Sequence, residues 1–159
     1  MSKRLKMKDE WGEAWSLDQI RDFLLSHGIR PSFHRLKIFE YLVNRRTHPT
    51  ADEIYEVLKN EVPAISRGTV YNTVRLFLSK GLVQPLSIEK NESRYDANLT
   101  WHGHFKCLAC GQINDVEIED LKLAHLDGYQ VLEKHLDLKG LCPSCSEKNK
   151  IYKQEGLHD

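Results

Sequence analysis

Residues 96–115, DANLTWHGHFKCLACGQIND, place an H-x-H pair, His102 and His104, just ahead of a C-x-x-C, Cys107 and Cys110, with Asp96 and Asp115 at the two ends. Thiolates suit Zn²⁺, whereas imidazole and carboxylate together suit Fe²⁺, Mn²⁺ or Zn²⁺. Donors of two kinds in twenty residues point to two metal sites rather than one. A second C-x-x-C, Cys142 and Cys145, encloses Pro143. Four cysteines in two such pairs read as a structural four-cysteine zinc centre, each pair giving two ligands from one turn with Zn–S bonds of about 2.3 Å. Disulfides or a thioredoxin-like redox motif are the alternatives. The 31 residues from 111 to 141 exceed the commonest ribbon spacing, so a small subdomain is expected between the pairs.

A chain of 159 residues can form one compact domain or two small ones. Its formal charge is zero, but residues 1–97 carry 16 Lys+Arg against 13 Asp+Glu and residues 98–159 carry 7 against 10, or +3 against −3. So small an excess does not identify a nucleic-acid partner; local clustering must supply any basic surface. No apolar run approaches the roughly 18 residues of a membrane span, and the basic amino terminus has no apolar core behind it. These features predict a cytoplasmic protein with no membrane partner. Reduced thiols in that compartment again favour metal over disulfide.

Residues 1–15, polar and basic apart from Trp11 and Trp15, read as a loosely ordered arm or a short docking helix. Ser16 and Gln19 form a capping box for a helix reaching Gly28, with Leu17, Ile20 and Leu24 on one face. A second helix is expected from Ser32 to Asn44. Thr50 and Glu53 cap a third, striped by Ala51, Ile54, Tyr55 and Leu58, and Ser66 caps a fourth that stops near Gly81. Leu82–Ile88 and Ser93–Ala97 read as a hairpin around the turn at 89–92. Helices followed by a hairpin give the order of a winged helix-turn-helix, with the fourth helix in the major groove of double-stranded DNA. Its exposed face offers Arg67, Thr69, Tyr71, Asn72 and Arg75, side chains that reach guanine, adenine, thymine methyls or phosphates. Beyond the first C-x-x-C, a strand is expected at Gln112–Val116, a helix at Glu117–Asp127 and extended chain at 129–139. The fold class is therefore α+β: a winged-helix DNA-binding domain over 16–97, then a small αβ metal-binding domain over 98–159.

HPTADEIY at 48–55, TVYNTV at 69–74, GLV at 81–83, RYD at 94–96, HGHFKCLACG at 102–111 and the second C-x-x-C together resemble the ferric uptake regulator (Fur) family of metal-dependent repressors, most closely its peroxide-sensing branch. The resemblance spans roughly residues 17–147. It implies that the second domain dimerises, that Tyr71 contacts bases and that Arg30 enters the minor groove. On a strand, His102 and His104 point to one face, as chelation requires. The resemblance recruits His48, Asp96 and Asp115 to them, giving a regulatory Fe²⁺ or Mn²⁺ site bridging the two domains. Asp at positions 96 and 115, where iron-sensing members usually have Glu, implies peroxide sensing by iron-catalysed oxidation of His48 or His102. Sensing of iron, manganese or zinc availability is the other reading within the family. Trp101 and Gly103 cannot ligate a further metal, and His27, His34, His125, His135 and His158 read as structural.

Metal held by nitrogen and oxygen also fits a metallohydrolase. Five protein ligands leave little room for water and substrate, however, and the sequence has neither a Gly-rich phosphate loop nor a nucleophile elbow. The chain reads as a regulator and not as an enzyme.

Overall fold

The computed structural model describes residues 14–89 and 92–148. Most of the expected arm, the two central residues of the hairpin turn, and His158 lie outside them. The chain divides into two compact units, Met1–Thr100 and Trp101–Asp159.

Four helices build the first unit: α1 (Leu17–Ser26), α2 (Phe33–Arg45), α3 (Ala51–Leu58) and α4 (Arg67–Ser79). Each begins at a hydroxyl cap, Ser16, Ser32, Thr50 or Ser66, and the expected capping boxes at Ser16–Gln19 and Thr50–Glu53 are both formed. A cap of this kind contributes about 1 kcal/mol. The apolar stripes meet in one core of Ile20, Leu24, Ile38, Phe39, Ile54, Leu58, Val70, Val74 and Phe77. Within it the Phe39 ring packs edge-on to Phe77 at 5.2 Å and stacks on Phe23 at 5.5 Å. Trp15 joins this core from outside. Its N–H donates to Asn44 Oδ1 at 2.8 Å, and its ring meets Phe23 at 5.2 Å.

The hairpin strands β1 (Gln84–Pro85) and β2 (Tyr95–Asp96) are shorter than the apolar pattern predicts. Pro85 has no N–H to donate, which limits the ladder, and Leu86 adds one bond to the Arg94 carbonyl at 2.9 Å. The segment before α3 lies along the other edge of β2. Tyr95 donates to the Pro49 carbonyl at 3.0 Å, and Thr50 bridges Arg94.

The second unit is a three-stranded sheet in the order β4-β3-β5, where β3 is Gly103–Cys107, β4 Ile113–Val116 and β5 Asp137–Gly140. β4 is antiparallel to β3 and β5 is parallel to it, so residues 137–140 return alongside the first cysteine pair. Gly103 permits that return: a Cβ there would come within 3.0 Å of the Leu136 carbonyl oxygen. Residues 143–148 are helical.

The helix expected over 117–127 is not formed; residues 117–136 have no regular structure. A helix of that length is marginal in water unless its apolar face is packed. Here Leu121, Leu123 and Leu126 are 45%, 56% and 41% exposed, so nothing in this unit supplies the packing. His125 breaks the run further with a left-handed φ of 62°. Among the described residues, no helix is long and apolar enough to cross a membrane.

Candidate metal centres and nucleic-acid face

Cys107 ends β3, and the turn after it closes with Gly111 N–H donating to the Cys107 carbonyl at 2.9 Å. Cys110 follows on that turn. Cys142 and Cys145 sit just past β5, at the start of the 143–148 helical turn. The four sulfurs all lie within 4.8 Å of one another, and the Cys110–Cys142 separation is 4.0 Å. A tetrahedron with bonds of about 2.3 Å has edges of about 3.8 Å, so the geometry fits zinc. All four are free thiols.

The protonation pattern points the same way. Backbone N–H donors pull the Cys107 thiol down to about 6, the Cys110 amide most strongly and the Cys142 amide next. Cys145 is pushed up to about 12, first by its hydrogen bond with Cys142 and then by burial. At neutral pH Cys107 is thus poised as a thiolate while Cys145 keeps its proton, and a dication is what stabilises four thiolates together.

In the same unit the imidazoles of His102 and His104 converge, Nε2 to Nε2, at 3.0 Å. Asp115 Oδ1 lies 3.3 Å from His102 Nε2 and 3.9 Å from His104 Nε2, because β3–β4 pairing puts Asp115 opposite His104. Two imidazoles and a carboxylate thus aim at one point. Asp137, in register with His104 on β5, has an oxygen 3.9 Å from its Nδ1. Sequence reading misses this residue, since parallel register cannot be read from spacing.

The first unit holds the other two candidates. His48 precedes α3 in a left-handed conformation, φ 49°, which few non-glycine residues adopt. Arg94 Nη1 donates to its carbonyl at 3.1 Å and pairs with Glu53 at 3.0 Å, fixing the segment to the hairpin. The His48 Nε2 lies 4.0 Å from Asp96 Oδ1, and both residues are buried. Asp96 is itself oriented: it accepts from Asn98 N–H at 2.7 Å and from Gln84 Nε2 at 3.1 Å. Outer partners of this kind set the direction of metal-binding groups.

On α4, Val70, Thr73, Val74 and Phe77 are buried, while Arg67, Tyr71, Asn72 and Arg75 face solvent as expected and Thr69 is half-buried. Arg30, Thr69 and Asn72 line one groove of about 570 Å³ together with Ser32 and Arg35 from the start of α2. Arg67 and Tyr71 turn toward α3, where Asp52 and Glu56 bind them. That hydrogen bond from Tyr71 to Asp52 holds the phenol pKa above its ordinary value. Three of the remaining described histidines bond elsewhere in the protein. His27 bonds the Phe23 carbonyl at 2.8 Å, His34 the Pro63 carbonyl at 3.0 Å, and His135 lies 3.3 Å from Glu133.

Residues 26–139 match the ferric uptake regulator family. The chain belongs to that family. It is 39% identical over 141 residues to the peroxide operon regulator of Bacillus subtilis, covering 85% of this chain and 97% of that one. Similarity to the peroxide-responsive repressor PerR of Staphylococcus aureus is 38% over 126 residues, or 76% and 85% of the two chains. Among solved structures, the Vibrio cholerae ferric uptake regulator superposes with a TM-score of 0.63 at 25% identity, covering 77% of this chain and 98% of that one. Family membership places this chain among metal-responsive transcription regulators, and the mixed helix-and-sheet fold agrees with it.

Proposed function

We propose that this chain is a cytoplasmic, metal-dependent DNA-binding repressor that responds to peroxide and works as a homodimer. The observation that carries the reading is the division of the ligands. One unit offers a buried His48–Asp96 pair, and the other offers His102, His104 and Asp115. Two donors or three leave a metal with several open positions, whereas the two sets together would give a five-donor site for Fe²⁺ or Mn²⁺. A ligand shared by two units favours the arrangement in which both can reach it, and so shifts the population toward the DNA-competent form. Zinc in the four-cysteine site is structural and ties the segment after β5 to the end of β3. The similarity to two peroxide regulators supports the signal.

Ferrous iron, when bound, supplies reductive cleavage of peroxide next to its ligands. His48 and His102 offer the oxidisable imidazoles, and one that gains oxygen is a poorer donor. Asp96 and Asp115 supply hard oxygen donors that survive the exposure. Loss of one imidazole from five donors releases the clamp. Dimerisation is supported by apolar side chains left exposed in the second unit: Leu121, Leu123, Leu126, Tyr129, Val131 and Leu132.

The test is binding of the Mn²⁺-loaded chain to a duplex selected from a random-sequence library. Wild type is expected to discriminate that duplex from mixed sequence only with metal present. Tyr71→Ala should lower affinity for the selected duplex about tenfold, or ~1.4 kcal/mol, within the range of a lost base contact. Metal content should not change. Equal loss on mixed-sequence DNA would instead make Tyr71 a phosphate contact.

A further inference from the structure

Asp52, Glu56, Tyr55, Arg67 and Tyr71 form a closed set on the α3–α4 face. Tyr71 donates its hydroxyl to Asp52 Oδ2 at 3.0 Å, while Asp52 Oδ1 pairs with Arg67 Nη1. The second Arg67 nitrogen pairs with Glu56 Oε1 at 2.7 Å, and the guanidinium lies over the Tyr55 ring at 4.6 Å. Two side chains of the DNA face thus have their polar atoms engaged by carboxylates of the neighbouring helix. The Asp52, Arg67 and Glu56 side chains are about half exposed, at 51%, 52% and 47%. Ion pairs that open to water contribute little to stability. Their consequence falls on whatever approaches that surface.

We propose that Asp52 is a specificity-determining residue of the DNA face: its carboxylate pre-orients Tyr71 and Arg67 against α3 and bars phosphate from them, which weakens binding to non-cognate duplex. This rests on the DNA-binding reading and deepens it. A phosphate moving toward Arg67 meets two carboxylates, and like charges at an interface suppress wrong partners. A carboxylate also tolerates little in the major groove, since among base edges only the cytosine and adenine amino groups donate to it. Cognate sequence compensates for this repulsion through the base contacts of a Tyr71 already held in place. Mixed sequence offers no such compensation, so the repulsion stands.

The experiment compares affinities of the full Mn²⁺-loaded chain for the selected duplex and for a mixed-sequence duplex of equal length, across a salt series. Asp52→Asn should raise affinity for mixed sequence about fivefold and change that for the selected duplex less than about twofold. The salt slope on mixed sequence should steepen by about one, as Arg67 gains a phosphate. Asp52→Glu keeps the charge and should retain the wild-type discrimination. Glu56→Gln, on the other side of Arg67, should give a smaller change of the same sign and serves if Asp52→Asn impairs folding. Wild-type ratios and slopes in both Asp52→Asn and Glu56→Gln would overturn the proposal, as would equal loss on both duplexes. A wild type that never discriminates the two duplexes overturns the DNA-binding reading itself, an outcome distinct from these.

Discussion

Cys142→Ser should strip zinc from the protein and melt the sheet of the second unit. Among the described residues of that unit, Cys107 and Ile113 are the only buried apolar side chains. So small a core does not stabilise a sheet; units of this size depend on metal or disulfide staples. The topology sharpens the dependence. β5 runs parallel to β3, and the connection between them, residues 117–136, is irregular and largely exposed. Zinc held by four cysteines would supply about 10–16 kcal/mol of binding free energy at neutral pH, which in this unit would be folding free energy. Expected results are a fall from one zinc per chain to near none and loss of amide protection over 103–116 and 137–140. Helices α1–α4, whose core is their own, should keep their protection. A zinc-free Cys142→Ser protein that retained the three strands would contradict this.

His104→Ala should abolish the metal response and spare the fold. His104 projects toward His102 and Asp115 from the central strand, with Asp137 on its far nitrogen. Loss of an outer partner to a ligand typically lowers metal affinity about 10–100-fold, so loss of the ligand should lower Mn²⁺ affinity by at least about 100-fold. Titration calorimetry with Mn²⁺ measures this directly. DNA affinity should then equal that of the chelated wild type, with zinc content unchanged. Wild-type Mn²⁺ affinity in His104→Ala would remove this residue from the site.

The sequence exposes these sites unevenly, for physical reasons. Ser16–Gln19 and Thr50–Glu53 announce their helices because a capping box is a contact between residues three apart. The C-x-x-C pairs are legible because each metal turn is equally local, and so is the approach of His102 and His104 on one strand face. The Glu117–Asp127 pattern misleads because a helical stripe has meaning only against a surface that buries it. His48 and Asp96 are recruited by family resemblance alone: their approach depends on the hairpin edge pairing with the segment before α3. Asp52 is invisible in the sequence for a similar reason. Its partners Arg67 and Tyr71 are chosen by how α3 packs on α4.

The most direct measurement is mass spectrometry of the full chain after brief exposure to peroxide, loaded with Fe²⁺ or Mn²⁺, with DNA binding followed in the same samples. The proposed function predicts a gain of one oxygen, about 16 Da, on the His48 or His102 peptide of the iron form, with loss of discrimination between selected and mixed-sequence duplex. The manganese form should keep both its mass and its DNA binding. Oxidation confined to Cys107, Cys110, Cys142 and Cys145, or DNA binding that survives histidine oxidation, would contradict peroxide sensing and leave a sensor of metal availability.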